Sequence, residues 1–145
     1  MSVIYVLLVA HFVGDFLCQS DWMALNKSKS WWALTMHVGV YTSMLMLAMG
    51  YAQQEFWSLA PWLWLAVNAL AHFAQDAITS RINARLWFIR WHQWGTLVQP
   101  VGGGGTRYVN TAEVLPTRHW FFVGIGADQL LHYVTLFVTA GWWLR

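Results

Sequence analysis

The chain has 145 residues, of which 58% are hydrophobic, 17% aromatic and only 10% charged, with a net charge of +2. Soluble domains carry about a quarter charged residues, so a water-soluble fold of this size would lack polar surface, and disordered, collagen-like and coiled-coil chains are excluded by the same composition. The single cysteine, Cys18, excludes a disulfide scaffold.

Four apolar stretches succeed one another along the chain, at about 2–19, 31–51, 57–78 and 120–144. Each is near the ~20 residues that a helix needs to cross the hydrocarbon of a bilayer. Inside a bilayer such stretches must be helical, because a lone strand leaves its backbone unsatisfied. The expected fold is all-α: one membrane domain over 1–145, a polytopic bundle of four transmembrane helices. An amphipathic and loop-like cytoplasmic segment, 79–119, joins the third helix to the fourth. The first stretch holds His11 and Asp15 at its centre and has neither a basic n-region nor a small-residue cleavage site, so it reads as a span and not a signal peptide.

Basic residues set the orientation. Lys27 and Lys29 lie between the first two spans, and Arg81, Arg85, Arg90, Arg107 and Arg118 between the last two. The loop from Ala52 to Phe56 has none, and only Arg145 follows the fourth span. The positive-inside rule places the basic side in the cytoplasm and both termini outside, in the periplasm for a bacterial inner-membrane protein. Trp22, Trp31, Trp32, Trp87, Trp91, Trp94 and Trp120 would ring the cytoplasmic boundary, and Trp57, Trp142 and Trp143 the outer one. Within the long connection, Arg81 to Trp94 mixes Arg with large apolar residues and reads as an interfacial continuation of the third helix. Val98 to Arg107, with glycines at 102–105, reads as a flexible loop; without a following Lys-Ser/Thr the glycine run is no phosphate-binding loop.

Ionisable groups in a membrane helix cost a few kcal/mol each and therefore need partners or a function. The first span carries His11, Asp15 and Gln19, the second His37 and Tyr41, the third Asn68, His72 and Asp76, and the fourth Asp128, Gln129 and His132. Residues four apart share a helix face, so each helix has one polar stripe, and the four stripes have each other to face. The first and third spans read His-x-x-x-Asp in one direction, whereas the fourth reads Asp-x-x-x-His in the other. In all three the His therefore lies about one turn (~6 Å) further from the cytoplasm than its Asp. A layer of His above a layer of Asp results, with His37 near the Asp layer.

Imidazole and carboxylate at one depth suit Zn, Mn or Fe, and facing helices of a bundle are a common place to assemble such ligands. The candidate ligands are His11, Asp15, His72, Asp76, Asp128 and His132, with His37 as a further candidate. They exceed what one catalytic zinc takes, so one ion or two ions sharing a carboxylate are both open. Asp15, His37, Asp76 and Asp128 are the candidate catalytic groups, and Gln19, Tyr41, Asn68 and Gln129 would support the ligands or hold substrate. The alternative is structural, with polar pairs that satisfy each other and join helices.

The run Ala10-His11-Phe12-Val13-Gly14-Asp15-Phe16-Leu17-Cys18-Gln19-Ser20-Asp21-Trp22-Met23, followed by Asn26-Lys27, resembles the opening signature of a bacterial and phage membrane family, domain of unknown function 3307. His37 with Tyr41, His72-Phe73-Ala74-Gln75-Asp76 and Asp128-Gln129-Leu130-Leu131-His132 match later elements in order. The resemblance covers all four spans and implies the membrane bundle and its polar positions, without a reaction. A looser similarity, with a different motif order, links the His/Asp array to bacterial membrane-bound metal-dependent hydrolases.

Three functions are open at this point. A metal-dependent hydrolase would use a metal-activated water on an ester or phosphoester, with lipids or lipid-linked phosphates near the cytoplasmic leaflet as the natural partners. A proton, ion or metal transporter would use the same array as a relay. Against it, Met44 to Met49 and Leu136 to Ala140 are apolar, although a homo-oligomer could supply a path. A non-enzymatic phage or bacterial membrane effector is the third. Nothing in the chain points to nucleic acid.

Overall fold

The computed structural model describes residues 3–52, 56–87, 91–101, 105–115 and 119–143. Helix α1, Val3–Phe12, passes without a break into a π-helical turn, Val13–Leu17. A short α2 (Asp21–Asn26) leads to α3 (Trp31–Tyr51) and the long α4 (Leu59–Trp87). Strands β1 (Trp91–Val101) and β2 (Gly105–Leu115) pair antiparallel, and α5 (His119–Trp143) ends the described chain. Helix α1 packs on α3 and α5, α3 on α4, and α4 on α5, which closes a ring of four.

Local chemistry places the helix starts. Ser20 and Ser30, both in extended backbone, accept hydrogen bonds from the N–H groups of Met23 and Ala33 and so cap α2 and α3. Pro61 falls in the first turn of α4, where a missing N–H costs nothing.

The ring has two interior zones. Leu7, Leu45, Ala48, Met49, Trp64, Leu65, Leu136 and Ala140 fill one with apolar side chains. His11, Asp15, His37, His72, Asp76, Asp128 and His132 are buried in the other. The outer surface is apolar, with Val9, Leu47, Leu63, Leu70, Leu130 and Phe137 all exposed. This distribution is the inverse of a water-soluble domain.

Two expectations change. Of the four predicted spans, Trp31–Tyr51 and Trp120–Gly141 are long and apolar enough to cross a membrane. The first is a shorter apolar helix, Val3–Leu17, and the third is part of α4, where Asn68, His72, Gln75 and Asp76 dilute the apolar run. The connection also differs from a helical continuation followed by a loop. Helix α4 does run on to Trp87, but Trp91 to Val101 is extended and pairs with Gly105 to Leu115, Trp91 opposite Leu115 and Val101 opposite Gly105. Aromatic and β-branched residues (Trp94, Thr96, Val98, Tyr108, Val109, Thr111, Val114) favour that pairing over a helix. Of the glycine run, 102–104 lie outside the described residues.

Candidate metal centre

Asp15 owes its position to an irregularity in α1. The Cys18 N–H donates to the Val13 carbonyl at 2.9 Å, an i to i+5 bond that widens the helix by a residue just where Asp15 sits. Gly14 lets this turn lie against α3. A Cβ there would stand 3.1 Å from Tyr41 Cα and 3.2 Å from Met44 Cβ. The wide turn and the notch together press Asp15 into the ring.

There it meets one residue from α3 and two from α4. His37 Nε2 lies 3.0 Å from Asp15 Oδ1 and 3.0 Å from Asp76 Oδ2. His72 Nε2 is 3.2 Å from His37 Nε2, 3.7 Å from Asp15 Oδ1 and 3.8 Å from Asp76 Oδ2. A tetrahedral ion with bonds of about 2.0–2.1 Å separates its ligand atoms by about 3.3–3.4 Å. These five separations bracket that value. Asp15, His37, His72 and Asp76 could thus hold a metal ion, each offering one atom. Without one, two imidazole nitrogens and two carboxylate oxygens crowd together with at most one proton per nitrogen to share.

The second oxygen of Asp76 faces another group. His132 Nε2 is 3.6 Å from Asp76 Oδ1, and Asp128 completes a second set of three possible ligands with them. His132 Nδ1 donates to the Asp128 backbone carbonyl at 2.8 Å, which fixes the tautomer and leaves the Nε2 lone pair free. His132 Nε2, Asp76 Oδ1 and Asp128 Oδ1 are buried without a hydrogen-bond partner among the described residues. Buried polar atoms left in that condition call for a cause, and an ion is one.

Other predicted site residues take different places. His11 belongs to neither ligand set; its Nε2 donates to Gln129 Oε1 at 3.2 Å, and its Nδ1 is buried without a hydrogen-bond partner among the described residues. Gln129 in turn donates through Nε2 to Asp15 Oδ2, so His11 steadies Asp15 through an amide. His37, which the sequence places near the Asp layer, stands in the first ligand set. Tyr41 stacks on His72 with ring centroids 3.8 Å apart and holds that imidazole flat. Asn68 serves a helix contact. It donates to the Trp64 carbonyl and accepts from Thr139 Oγ1 at 3.1 Å, joining α4 to α5 one turn away from the ligands.

Sequence reasoning missed Lys27, which it treated as a marker of the cytoplasmic side. Its ammonium donates to Asp76 Oδ2 at 3.0 Å. The signal was a Ser-initiated turn too short to be a span, Ser20 to Asn26, which folds the chain back under the ring. Beside the site lies a cavity of about 310 Å³, lined by Asp15, Gln19, Lys27, Asn83, Asp128 and Gln129 on its polar side and by Phe16, Phe121 and Ile125 on its apolar side. Gln19 lines this space and belongs to neither ligand set.

Residues 3–144 match the family model "Protein of unknown function (DUF3307)", and the chain belongs to that family. No curated protein and no solved structure is significantly similar to it.

Proposed function

We propose that this member of the family is a membrane-embedded, metal-dependent hydrolase that cleaves an ester or phosphoester of a lipid or lipid-linked substrate near the cytoplasmic leaflet. The observation that carries the reading is the convergence of Asp15, His37, His72 and Asp76 beside a cavity with one polar and one apolar wall, which Asp15 itself lines. A bound Zn, Mn or Fe ion would supply a water acidified to near neutrality. Asp128 lines the cavity, is buried and has an Oδ1 without a hydrogen-bond partner among the described residues, 3.5 Å from His132 Nδ1, as a general base needs. The apolar wall of Phe16, Phe121 and Ile125 suits an acyl or prenyl chain. Charge favours one ion: three carboxylates against the Lys27 ammonium leave two negative charges, which one divalent cation cancels.

The apolar exterior supports four crossings in a bacterial inner membrane. Helix α1 with its π-turn is the short member, about 22 Å at 1.5 Å per residue, and local thinning of the bilayer absorbs such a mismatch at small cost. The orientation follows the basic residues, with both termini outside. In a Cys18→Ala background, needed because Cys18 is exposed, Tyr51→Cys should react with an impermeant thiol reagent added outside cells and Arg85→Cys should not. The reverse pattern would invert the orientation, and reaction of both would remove the membrane crossing.

Transport is the weaker reading. The packed apolar zone of Leu7, Leu45, Met49, Leu65 and Leu136 closes the far end of the ring. Elemental analysis of protein purified in detergent without chelators should find about one equivalent of Zn, Mn or Fe, since one ion balances the charge. Lipid phosphoesters in mixed micelles should be hydrolysed by the wild type and at least about a hundredfold more slowly by Asp128→Asn, the scale of losing a general base. Metal-free protein, or metal-loaded protein that leaves every lipid class intact, would defeat the hydrolase.

A further inference from the structure

A cation pointing into the ligand cluster needs an explanation, and the role inferred for it rests on the metal reading of that cluster. Lys27, at the C-terminal end of α2, carries its ammonium 3.0 Å from Asp76 Oδ2 and 3.5 Å from His37 Nε2. Both residues belong to the candidate ligand set. An ammonium has three protons and no lone pair, so it can only donate. Its acceptor here is the Asp76 carboxylate, an oxygen that a metal ion also requires. His37 Nε2, 3.0 Å from both Asp15 Oδ1 and Asp76 Oδ2, donates to those carboxylates while the ammonium is in place and must give up that proton to bind an ion. Like charges at this separation also repel strongly, most of all away from water.

We propose that Lys27 is a tethered cation standing in the metal's place. The ammonium and the ion exclude one another from the edge formed by Asp76 and His37, and metal entry drives Lys27 into the adjoining cavity. The geometry allows the exchange: Lys27 and its neighbour Ser28 both line that cavity, and the Lys27 side chain is already 16% exposed. Its flexible four-carbon stem can swing while α2 stays in place. The empty site then carries part of its own counter-charge, so the ring can fold before it is loaded. Loading places the ammonium on the cavity wall, where it can donate to an anionic group only when the ion is present.

The chain has two lysines, Lys27 and the exposed Lys29, so each experiment has an internal control. Zinc affinity is measured by competition with a chromophoric chelator. Lys27→Met should bind about tenfold or more tightly than wild type, because a competing charge is gone, whereas Lys29→Met should be unchanged. In the wild type, labelling by an amine-reactive ester, read by mass spectrometry, should rise several-fold at Lys27 relative to Lys29 when zinc is added. Equal affinity in Lys27→Met, or a Lys27 that stays protected with zinc bound, overturns the exchange and leaves the metal site standing. If neither wild type nor Lys27→Met binds zinc, manganese or iron, both the exchange and the metal reading fall. The labelling arm uses the wild type alone and so holds even if Lys27→Met fails to fold.

Discussion

Asp76→Asn should abolish stoichiometric metal binding, lowering affinity by at least about a hundredfold, beyond what loss of a supporting residue costs. Asp76 is the one carboxylate shared by both candidate ligand sets, and its two oxygens face opposite ways, Oδ2 toward His37 and His72 and Oδ1 toward His132. An amide keeps the shape but replaces one oxygen with a group that donates. It also strands Lys27, whose carboxylate partner is Asp76. Removing one member of a buried ion pair typically costs about 3–5 kcal/mol, because the surviving charge stays buried without compensation. The variant should therefore be less stable even when both proteins are metal-free. Thermal unfolding in detergent after chelation measures that loss, and elemental analysis measures the other. Should the variant keep its metal, Asp76 is no ligand. Should it keep its metal-free stability, the pair with Lys27 contributes little, and the charge accounting fails with it.

The second large effect is expected at a residue with no functional group. Gly14→Ala puts a Cβ 3.1 Å from Tyr41 Cα and 3.2–3.3 Å from the Met44 side chain, tighter than ordinary packing, and the nearest atom is backbone. The π-turn and α3 must part by a few tenths of an ångström, and overpacking of this kind costs about 1–3 kcal/mol. Gly14→Val should cost more. Asp15 is the next residue, so metal affinity should fall along with stability even though no ligand is changed. Gly39→Ala is the matched control. It lies in α3 with open space around its Cβ, and it should be neutral or stabilising by up to about 1 kcal/mol, the helix preference of alanine over glycine. Zinc competition and thermal midpoints for the three variants check this. Equal behaviour of Gly14→Ala and Gly39→Ala would show that the close approach of the two helices is unimportant.

Much of the site was legible before any fold was known. His11/Asp15, His72/Asp76 and Asp128/His132 are each four apart, and a helix places such residues on one face whatever surrounds it. The placing of His37 near the carboxylates required only a count along α3, and in the structure it touches both Asp15 and Asp76. Roles were less legible than positions. Whether an imidazole offers a lone pair or a proton depends on what its other neighbours offer: His11 donates to Gln129, while His132 is pinned through Nδ1 and keeps Nε2 free. Asn68 shared a stripe with His72 but lies a turn along α4, where Thr139 of α5 meets it.

The chain's composition and the four-residue spacing of its polar groups were sufficient to determine an all-α body with apolar outward faces and a polar seam. Both follow from helix geometry and from the cost of exposing or burying particular side chains, which are local properties. Tertiary structure alone decided the pairing of Lys27 with Asp76 and which imidazoles meet which carboxylates, His37 and His72 in one candidate ligand set and His132 in the other. Each of these depends on contacts between residues far apart in the chain or on how a backbone irregularity is accommodated. No local pattern encodes those distances.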